Sequence, residues 1–356
     1  MAELVAAGWA VRAGVRTDKQ AALARSLGAE PVSCDVTAPA SLGPLVAGVE
    51  VVHHLAAWMG SPAGRAEAVN VIGTQNLLAA AASAGVMRVV LASSVAVYGP
   101  ITQGHVSEDW QRVRVGDAYG DSKVGAEAVA ERFRAERGSH ERFGGEHVTR
   151  ERLTATGGAG LELVVMRPTM IYGPASNSWT LAPLAAIRRG LPVIIGSGET
   201  LLDVVYVDDV ARAFAAAGEV PGAAGRAFNV TGESVTVNRF FGAYAAIVDR
   251  PLRRVPVAVA KAGTATAAAV TGALPGLDRV APELLGTLTS LATFDGSSAR
   301  EVLGYEPRVD LREGMTITAV WLRGKGLAPG PRSALVVGAG RGLGREVATL
   351  LAEHYV

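Results

Sequence analysis

Ser333-Ala334-Leu335-Val336-Val337 runs straight into Gly338-Ala339-Gly340-Arg341-Gly342-Leu343-Gly344, and a helix-forming stretch, residues 345–355, follows. An apolar strand, a glycine turn and a helix N-terminus in that order read as the opening of a dinucleotide-binding βαβ unit. The glycines let backbone approach a pyrophosphate, and the helix N-terminus offers it unpaired amides. Here the pattern stands at the C-terminal end. Met1-Ala2-Glu3-Leu4-Val5-Ala6-Ala7-Gly8, in turn, reads as the end of the helix that should follow such a turn. Taken tail to head, the two ends nearly complete one βαβ unit, as in a circular permutation. Two other readings stay open: residues 333–356 begin a second domain of the same kind, or the strand is exchanged with a partner chain.

Working outward, strand and helix signals alternate. Residues 11–15 and 50–55 read as strands, and residues 70–84 as a helix with apolar positions three and four apart. Val89-Val90-Leu91-Ala92 is a continuous apolar strand, the type whose two faces are both covered. Residues 118–137 read as a long helix and 163–166 as the next strand. This alternation predicts an α/β fold, a doubly wound parallel Rossmann sheet. From Trp179 onward the pattern suggests a smaller, mainly helical substrate lobe. The expected division is 1–175 with 333–356 as the dinucleotide-binding domain, residues 204–230 returning to it. Residues 176–322 form the substrate lobe and 323–332 a linker; the first strand comes from the C-terminal segment. The polar stretch 136–160 reads as a surface insertion.

Composition narrows the classes. A chain of 356 residues with 49% hydrophobic content and a net charge of +1 has a core to bury and no charge excess aimed at nucleic acid. The lone Cys34 gives no disulfide framework and fits a reducing, cytoplasmic setting. Residues 255–274 include Lys261, three threonines and two glycines, too polar to span a bilayer; an amphipathic or substrate-facing helix is expected there.

Two stretches carry chemistry. Leu91-Ala92-Ser93-Ser94-Val95-Ala96-Val97-Tyr98-Gly99 is a buried strand ending in hydroxyls, and open α/β sheets bind ligands at that end. Tyr119-Gly120-Asp121-Ser122-Lys123 opens the long helix, with Tyr119 and Lys123 on one face. A neighbouring ammonium favours phenolate and lowers the tyrosine pKa toward a value useful for proton transfer. Other signals read as structural. His53 and His54 point to opposite strand faces, Asp208-Asp209 reads as a helix N-cap, and Cys34 as a buried small hydrophobe. Trp110 and Trp179 suit packing or substrate contact equally.

Further stretches give the chain a family resemblance. They are Val52-His53-His54-Leu55-Ala56-Ala57, Asn70-Val71-Ile72-Gly73-Thr74-Gln75-Asn76-Leu77, Arg167-Pro168-Thr169-Met170-Ile171-Tyr172-Gly173-Pro174 and Val205-Tyr206-Val207-Asp208-Asp209-Val210-Ala211. With Ser94–Gly99, Tyr119 and Lys123, they resemble the short-chain dehydrogenase/reductase superfamily. The likeness is to its extended branch of NAD(P)-dependent epimerases, dehydratases and hydroxysteroid-type dehydrogenases. That resemblance implies that Ser94 orients the substrate oxygen and Tyr119 is the general acid/base. It implies that Lys123 lowers the tyrosine pKa and holds the nicotinamide ribose. Asp35 and Val36 would meet the adenine, Leu55, Ala56 and Ala57 would line the cofactor, and Pro168 and Thr169 would lie beside the nicotinamide. Gly338, Gly340, Arg341, Gly342, Leu343 and Gly344 would hold the pyrophosphate, although their three-and-one glycine spacing is that of the superfamily's short branch.

The strand after residue 11 ends Val15-Arg16-Thr17-Asp18. Arg16 suits a 2′-phosphate, so NADP(H) is favoured over NAD(H). Sugar dehydratases of this branch place Thr-Asp-Glu where this chain has Ser94-Val95-Ala96, which disfavours dehydration. Residues 292–305 look most like the hydroxysteroid dehydrogenase and dihydroflavonol reductase group. The expected activity is therefore alcohol–ketone redox on a largely apolar small molecule. Nucleotide-sugar epimerisation and a non-catalytic NADP(H)-binding protein are the alternatives. Helices 70–84 and 118–137 resemble a pair that relatives dock as a four-helix bundle, which implies a homodimer. No metal, nucleic-acid partner or membrane span is expected.

Overall fold

The computed structural model describes residues 1–60, 62–137, 160–260, 282–330 and 345–346. A short helix α1 (Ala2–Ala6) precedes strand β1 (Arg12–Val15), helix α2 (Asp18–Ser26) and strand β2 (Glu30–Ser33). Helix α3 (Gly43–Val46) and β3 (Val51–His54) follow. A continuous helical run then comprises α4 (Ala63–Ala66), a π turn (Glu67–Ile72) and α5 (Gly73–Ser83). The helix expected over 70–84 thus begins earlier and holds an extra residue in its π turn. Strand β4 (Arg88–Ala92), β5 (Gln103–Val106), the long helix α6 (Ala118–Arg137) and β6 (Glu162–Pro168) complete this half.

Strands β3, β4, β6 and β10 (Ala227–Val230) form one parallel sheet in that order. The apolar run of β4 explains its central place. Val89 and Leu91 point into a core with Leu42, Leu77, Val129 and Ala130. Val90 points the other way, into a core with Val210, Phe214, Phe228 and Leu303. Period-two alternation thus feeds two helical layers, the doubly wound arrangement expected. Strands β1 and β2 form a separate parallel ladder. Residues 335–337, expected between β1 and β3, lie outside the described residues, as do 138–159 of the expected insertion and 261–274 of the apolar stretch.

The rest of the chain is mainly helical, as expected, with short strands between its helices. It holds β7 (Met170–Tyr172), α7 (Ala182–Arg188), β8 (Ile194–Ile195), β9 (Leu201–Tyr206), α8 (Val207–Glu219), β11 (Glu233–Thr236) and α9 (Val237–Val248), of which α8 packs on the main sheet through Val210 and Phe214. Beyond these lie β12 (Arg254–Val255), α10 (Pro282–Thr289), β13 (Leu291–Phe294), α11 (Ser297–Leu303) and α12 (Leu311–Gly324). Short strands pair as β11–β9–β7, β12–β8 and β13–β5. An aromatic cluster of Tyr172, Tyr206, Phe240 and Tyr244 packs edge to face in its core, with centroids 5.5–5.8 Å apart. Trp179 packs edge-on against Phe240.

Two readings are corrected. Asp208-Asp209 does not cap α8: Tyr206 stands at the N-cap, with no side-chain bond. Fully buried Asp209 instead accepts from the backbone N–H groups of Arg308 (2.8 Å) and Val309 (3.1 Å) and pairs with Arg212. It ties the loop around Arg308 and Val309 to α8. Cys34 is half-buried, its thiol raised first by burial and then by the adjacent Asp35 charge.

Gly232, between β10 and β11, has no room for a side chain. A Cβ there would lie 3.0 Å from the Cα of Val205 and against the carbonyl oxygen of Val204, both rigid backbone. Gly232→Ala should cost about 1–3 kcal/mol, as overpacking does, read as a lowered midpoint in chemical denaturation. An unchanged midpoint would show that the β9–β11 ladder yields freely.

Candidate active site

The site is built where β4 meets the start of α6. Past Ala92, Ser93 continues the ladder, its N–H donating to Met166 O at 2.7 Å. The Ser94 hydroxyl caps the 3-10 turn Val95–Tyr98 by accepting from Ala96 N–H at 3.2 Å. Two aspartates shape the opposite wall. Asp117 caps α6, its carboxylate accepting from Tyr119 N–H (3.1 Å) and Gly120 N–H (2.6 Å). Asp121 reaches back to the N–H groups of Val115 (2.8 Å) and Gly116 (3.0 Å). Gly120 permits the close approach: a Cβ there would sit 3.0 Å from Ala96 O.

These contacts bring Ser94, Tyr119 and Lys123 together. The Ser94 hydroxyl is close enough to the Tyr119 phenol to act on its ionisation. One turn on, Lys123 is 3% exposed, its ammonium 2.7 Å from Ala92 O and 5.7 Å from the Tyr119 ring centroid. The expected lowering of the Tyr119 pKa is not the direction found in this arrangement. Burial holds the phenol above its ordinary value, the Ser94 hydroxyl eases it and the Asp117 charge raises it further. Lys123 moves the other way: burial lowers it to about 8, and the Glu127 carboxylate one turn along the helix opposes that fall.

Behind the triad lies a charge network the sequence reading missed. Glu127, 1% exposed, accepts from the Ser93 hydroxyl and from two nitrogens of Arg167, Nε at 3.0 Å and Nη2 at 2.7 Å. Arg112 adds a contact at 2.9 Å. Arg167 also donates to the Tyr98 hydroxyl (2.8 Å), which donates to Asn229 Oδ1 (2.7 Å). The available signal was Glu127 at four residues from Lys123 and an arginine directly before Pro168.

The expected cofactor-side residues fall at strand ends. Arg16 follows β1 and is exposed. Asp35 follows β2; its carboxyl is lowered by bonds from the Thr37 N–H and hydroxyl, then by the charges of Arg16 and Arg65. Val36 O accepts from Asn76 Nδ2 at 2.9 Å. Leu55, Ala56 and Ala57 leave β3 exposed, Leu55 by 59%. The segment is then held at Trp58, whose N–H and C=O bond the amide of Asn70 (2.7 and 2.9 Å). Asn70, on the π turn, also donates to Ser122 Oγ (2.7 Å), which donates to Tyr119 O (2.7 Å). Pro168 ends β6, and Thr169 is buried, its N–H donating to Val230 O. Gly338, Gly340, Arg341, Gly342, Leu343 and Gly344 lie outside the described residues.

Other candidates fall away. His53 faces Gly218 of α8, whereas His54 bonds Thr74 of α5. No metal-ligating group of three occurs among the described residues, nor is any helix among them long and apolar enough to cross a membrane. Trp110 is a rim residue, 42% exposed and packed over Gly104.

Comparison with known proteins follows this geometry. The model of the "NAD dependent epimerase/dehydratase family" matches residues 1–231. A "3beta-hydroxysteroid-dehydrogenase/decarboxylase isoform 2" of Arabidopsis thaliana is 27% identical over 311 residues, 81% of this chain; the chain spans only 51% of that relative's length. A "UDP-glucose 4-epimerase" of Mycolicibacterium smegmatis is 31% identical over 289 residues, covering 78% of this chain and 77% of the relative. Among solved structures, "MoeE5 in complex with UDP-glucose and NAD" superposes with a TM-score of 0.61 at 26% identity, covering 88% of this chain and 97% of the other.

Removing one side of the buried charge pair should be severe. Glu127→Ala leaves Arg167 buried and uncompensated, a loss of about 3–5 kcal/mol. Calorimetry of that variant should give a large drop in melting temperature. A drop no larger than for a surface glutamate such as Glu131→Ala would show that the network carries little stability.

Proposed function

The chain belongs to the NAD dependent epimerase/dehydratase family, and from that premise we propose that it interconverts a secondary alcohol and a ketone by hydride transfer, with Tyr119 as general acid/base. The observation that carries this reading is the meeting of Ser94, Tyr119 and Lys123 at the carboxyl end of β4. The surroundings fit a dinucleotide. An exposed apolar segment, Leu55 to Ala57, leaves β3, and a carboxylate flanked by two arginines follows β2. Bound there, the nicotinamide supplies the hydride acceptor or donor.

The chain's own groups do the rest. The Ser94 hydroxyl donates to the substrate oxygen and orients it. The Tyr119 hydroxyl gives that oxygen a proton on reduction or takes one on oxidation, and its raised pKa keeps it protonated at neutral pH, suited to the reductive direction. Lys123 presents an ammonium to the ribose hydroxyls and stabilises the phenolate left behind. Asp35 accepts from the adenine amine, Thr169 borders the nicotinamide, and the glycine run 338–344 is the sequence's candidate for the pyrophosphate turn.

The absence of a carboxylate pair at Ser94-Val95-Ala96 argues against dehydration, and the likeness to a hydroxysteroid dehydrogenase supports a largely apolar substrate. Epimerisation of a nucleotide sugar stands as the second reading, favoured by the 31% identity to a UDP-glucose 4-epimerase. A ketone-reduction screen read by cofactor absorbance, run beside an epimerase assay with UDP-glucose, separates the two.

Tyr119→Phe should leave folding and cofactor binding near normal and slow turnover by about 10²–10⁴; undiminished turnover removes Tyr119 from the chemistry. For the cofactor, exposed Arg16 supports NADP(H), through bidentate contact with a 2′-phosphate. Arg16→Ala should weaken NADPH binding by roughly tenfold or more, the scale of a charged hydrogen bond, while sparing NADH. Calorimetric titration of both cofactors tests this, and tighter NADH binding in the unaltered chain, indifferent to Arg16→Ala, would reverse the preference.

A further inference from the structure

Three groups act on Tyr119: the Ser94 hydroxyl from the turn after β4, the Asp117 carboxylate at its backbone from the loop ahead of α6, and the Lys123 ammonium from the next turn of α6. Ser94 and Lys123 are accounted for by the chemistry above; Asp117 is not. Its two oxygens take the N–H groups of Tyr119 and Gly120, at 3.1 and 2.6 Å. The residue therefore grips the backbone of the reacting tyrosine itself.

We propose that Asp117 is a positioning residue for Tyr119: as N-cap of α6 it fixes the turn that presents the phenol to Ser94, and its negative charge opposes loss of the phenolic proton. The two effects are separable. Capping needs only a side-chain acceptor, and asparagine or serine supplies one of the two that the carboxylate offers. Opposition to ionisation needs the charge. A helix N-terminus alone would favour phenolate through its dipole, and Asp117 places a counter-charge at that point. Electrostatics agrees in direction, since Asp117 contributes to holding the Tyr119 pKa up. The consequence is a site biased toward proton donation. This inference rests on Tyr119 being the acid/base, but its physical content is testable without turnover.

The test is a spectroscopic pH titration of tyrosinate absorbance in the ligand-free full chain, taken as the difference from Tyr119→Phe so that the other tyrosines cancel. Asp117→Asn keeps one of the two capping acceptors, so it should lose less melting temperature than Asp117→Ala and move the Tyr119 midpoint down by roughly half a pH unit or more, the order of one removed charge. Asp117→Ala should show a similar midpoint with a lower melting temperature. An unmoved midpoint in Asp117→Asn overturns the proposal. It would leave the assignment of Tyr119 untouched, because that is judged by the turnover of Tyr119→Phe. Once a substrate is in hand, Asp117→Asn should carry alcohol oxidation to lower pH, since oxidation needs the deprotonated phenol. Oxidation confined to the original pH range would also count against the proposal.

Discussion

The interaction on which the site depends is the buried carboxylate of Glu127. A charge this deep costs several kcal/mol in lost hydration unless hydrogen bonds and counter-charge replace the water. Glu127 receives that compensation from three directions: the Ser93 hydroxyl of the β4 end, the Nε–Nη2 edge of the Arg167 guanidinium from β6, and Arg112 from the loop before α6. Each donor is fixed by its own element. Satisfying the carboxylate therefore fixes where α6 lies against the sheet. Tyr119 and Lys123 stand two turns and one turn before Glu127 on the same helix, so their place over the β4 end follows.

The same carboxylate bears on the charge state of the site. Lys123 is almost wholly removed from water, its ammonium donating to Ala92 O, and burial drives it toward neutrality. Glu127 opposes this, and the balance leaves the lysine at about 8. Tyr119 is displaced upward by its own burial. Near neutral pH the pair consists of a protonated phenol and a largely protonated amine. Shifts in opposite directions from one buried environment let adjacent groups take different roles, one donating a proton and the other supplying charge.

How much of this the sequence disclosed follows from the range of each interaction. The β4 run Val89–Ala92 and helix α6 were legible because their signals are local: continuous apolarity for a strand covered on both faces, long periodicity for a helix. Tyr119 and Lys123 stood out because four-residue spacing on a helix is itself geometry. Glu127 and Arg167 were not legible, since they are 40 residues apart and their pairing exists only once α6 lies on β6. Asp209 misled for a related reason. An acid at a helix start suits the N-cap, yet its partners are backbone groups 99 and 100 residues away. The second lobe's strands, two to six residues long, are too short to show a period of two against neighbouring helices.

The two ends of the proposed cofactor site are anchored by different means. The end at Tyr119 and Lys123 is fixed by the buried network around Glu127. The proposed adenine end, carrying Arg16 and Asp35, sits on the two-stranded β1–β2 ladder, whose described contacts are more exposed. Arg12 of β1 donates to the carbonyls of Pro44, Leu45 and Ala47 at 3.2, 3.2 and 2.8 Å, a cation on the C-terminal end of α3. Gly14 brings β1 within van der Waals reach of Leu45 and Cys34. Contacts of this solvated kind are individually worth about 1 kcal/mol or less, whereas loss of a partner in the Glu127 network exposes an uncompensated buried charge. Among the described residues, the strand ends that carry Arg16 and Asp35 are thus held by solvated contacts, whereas Tyr119 and Lys123 are held by a buried charge network.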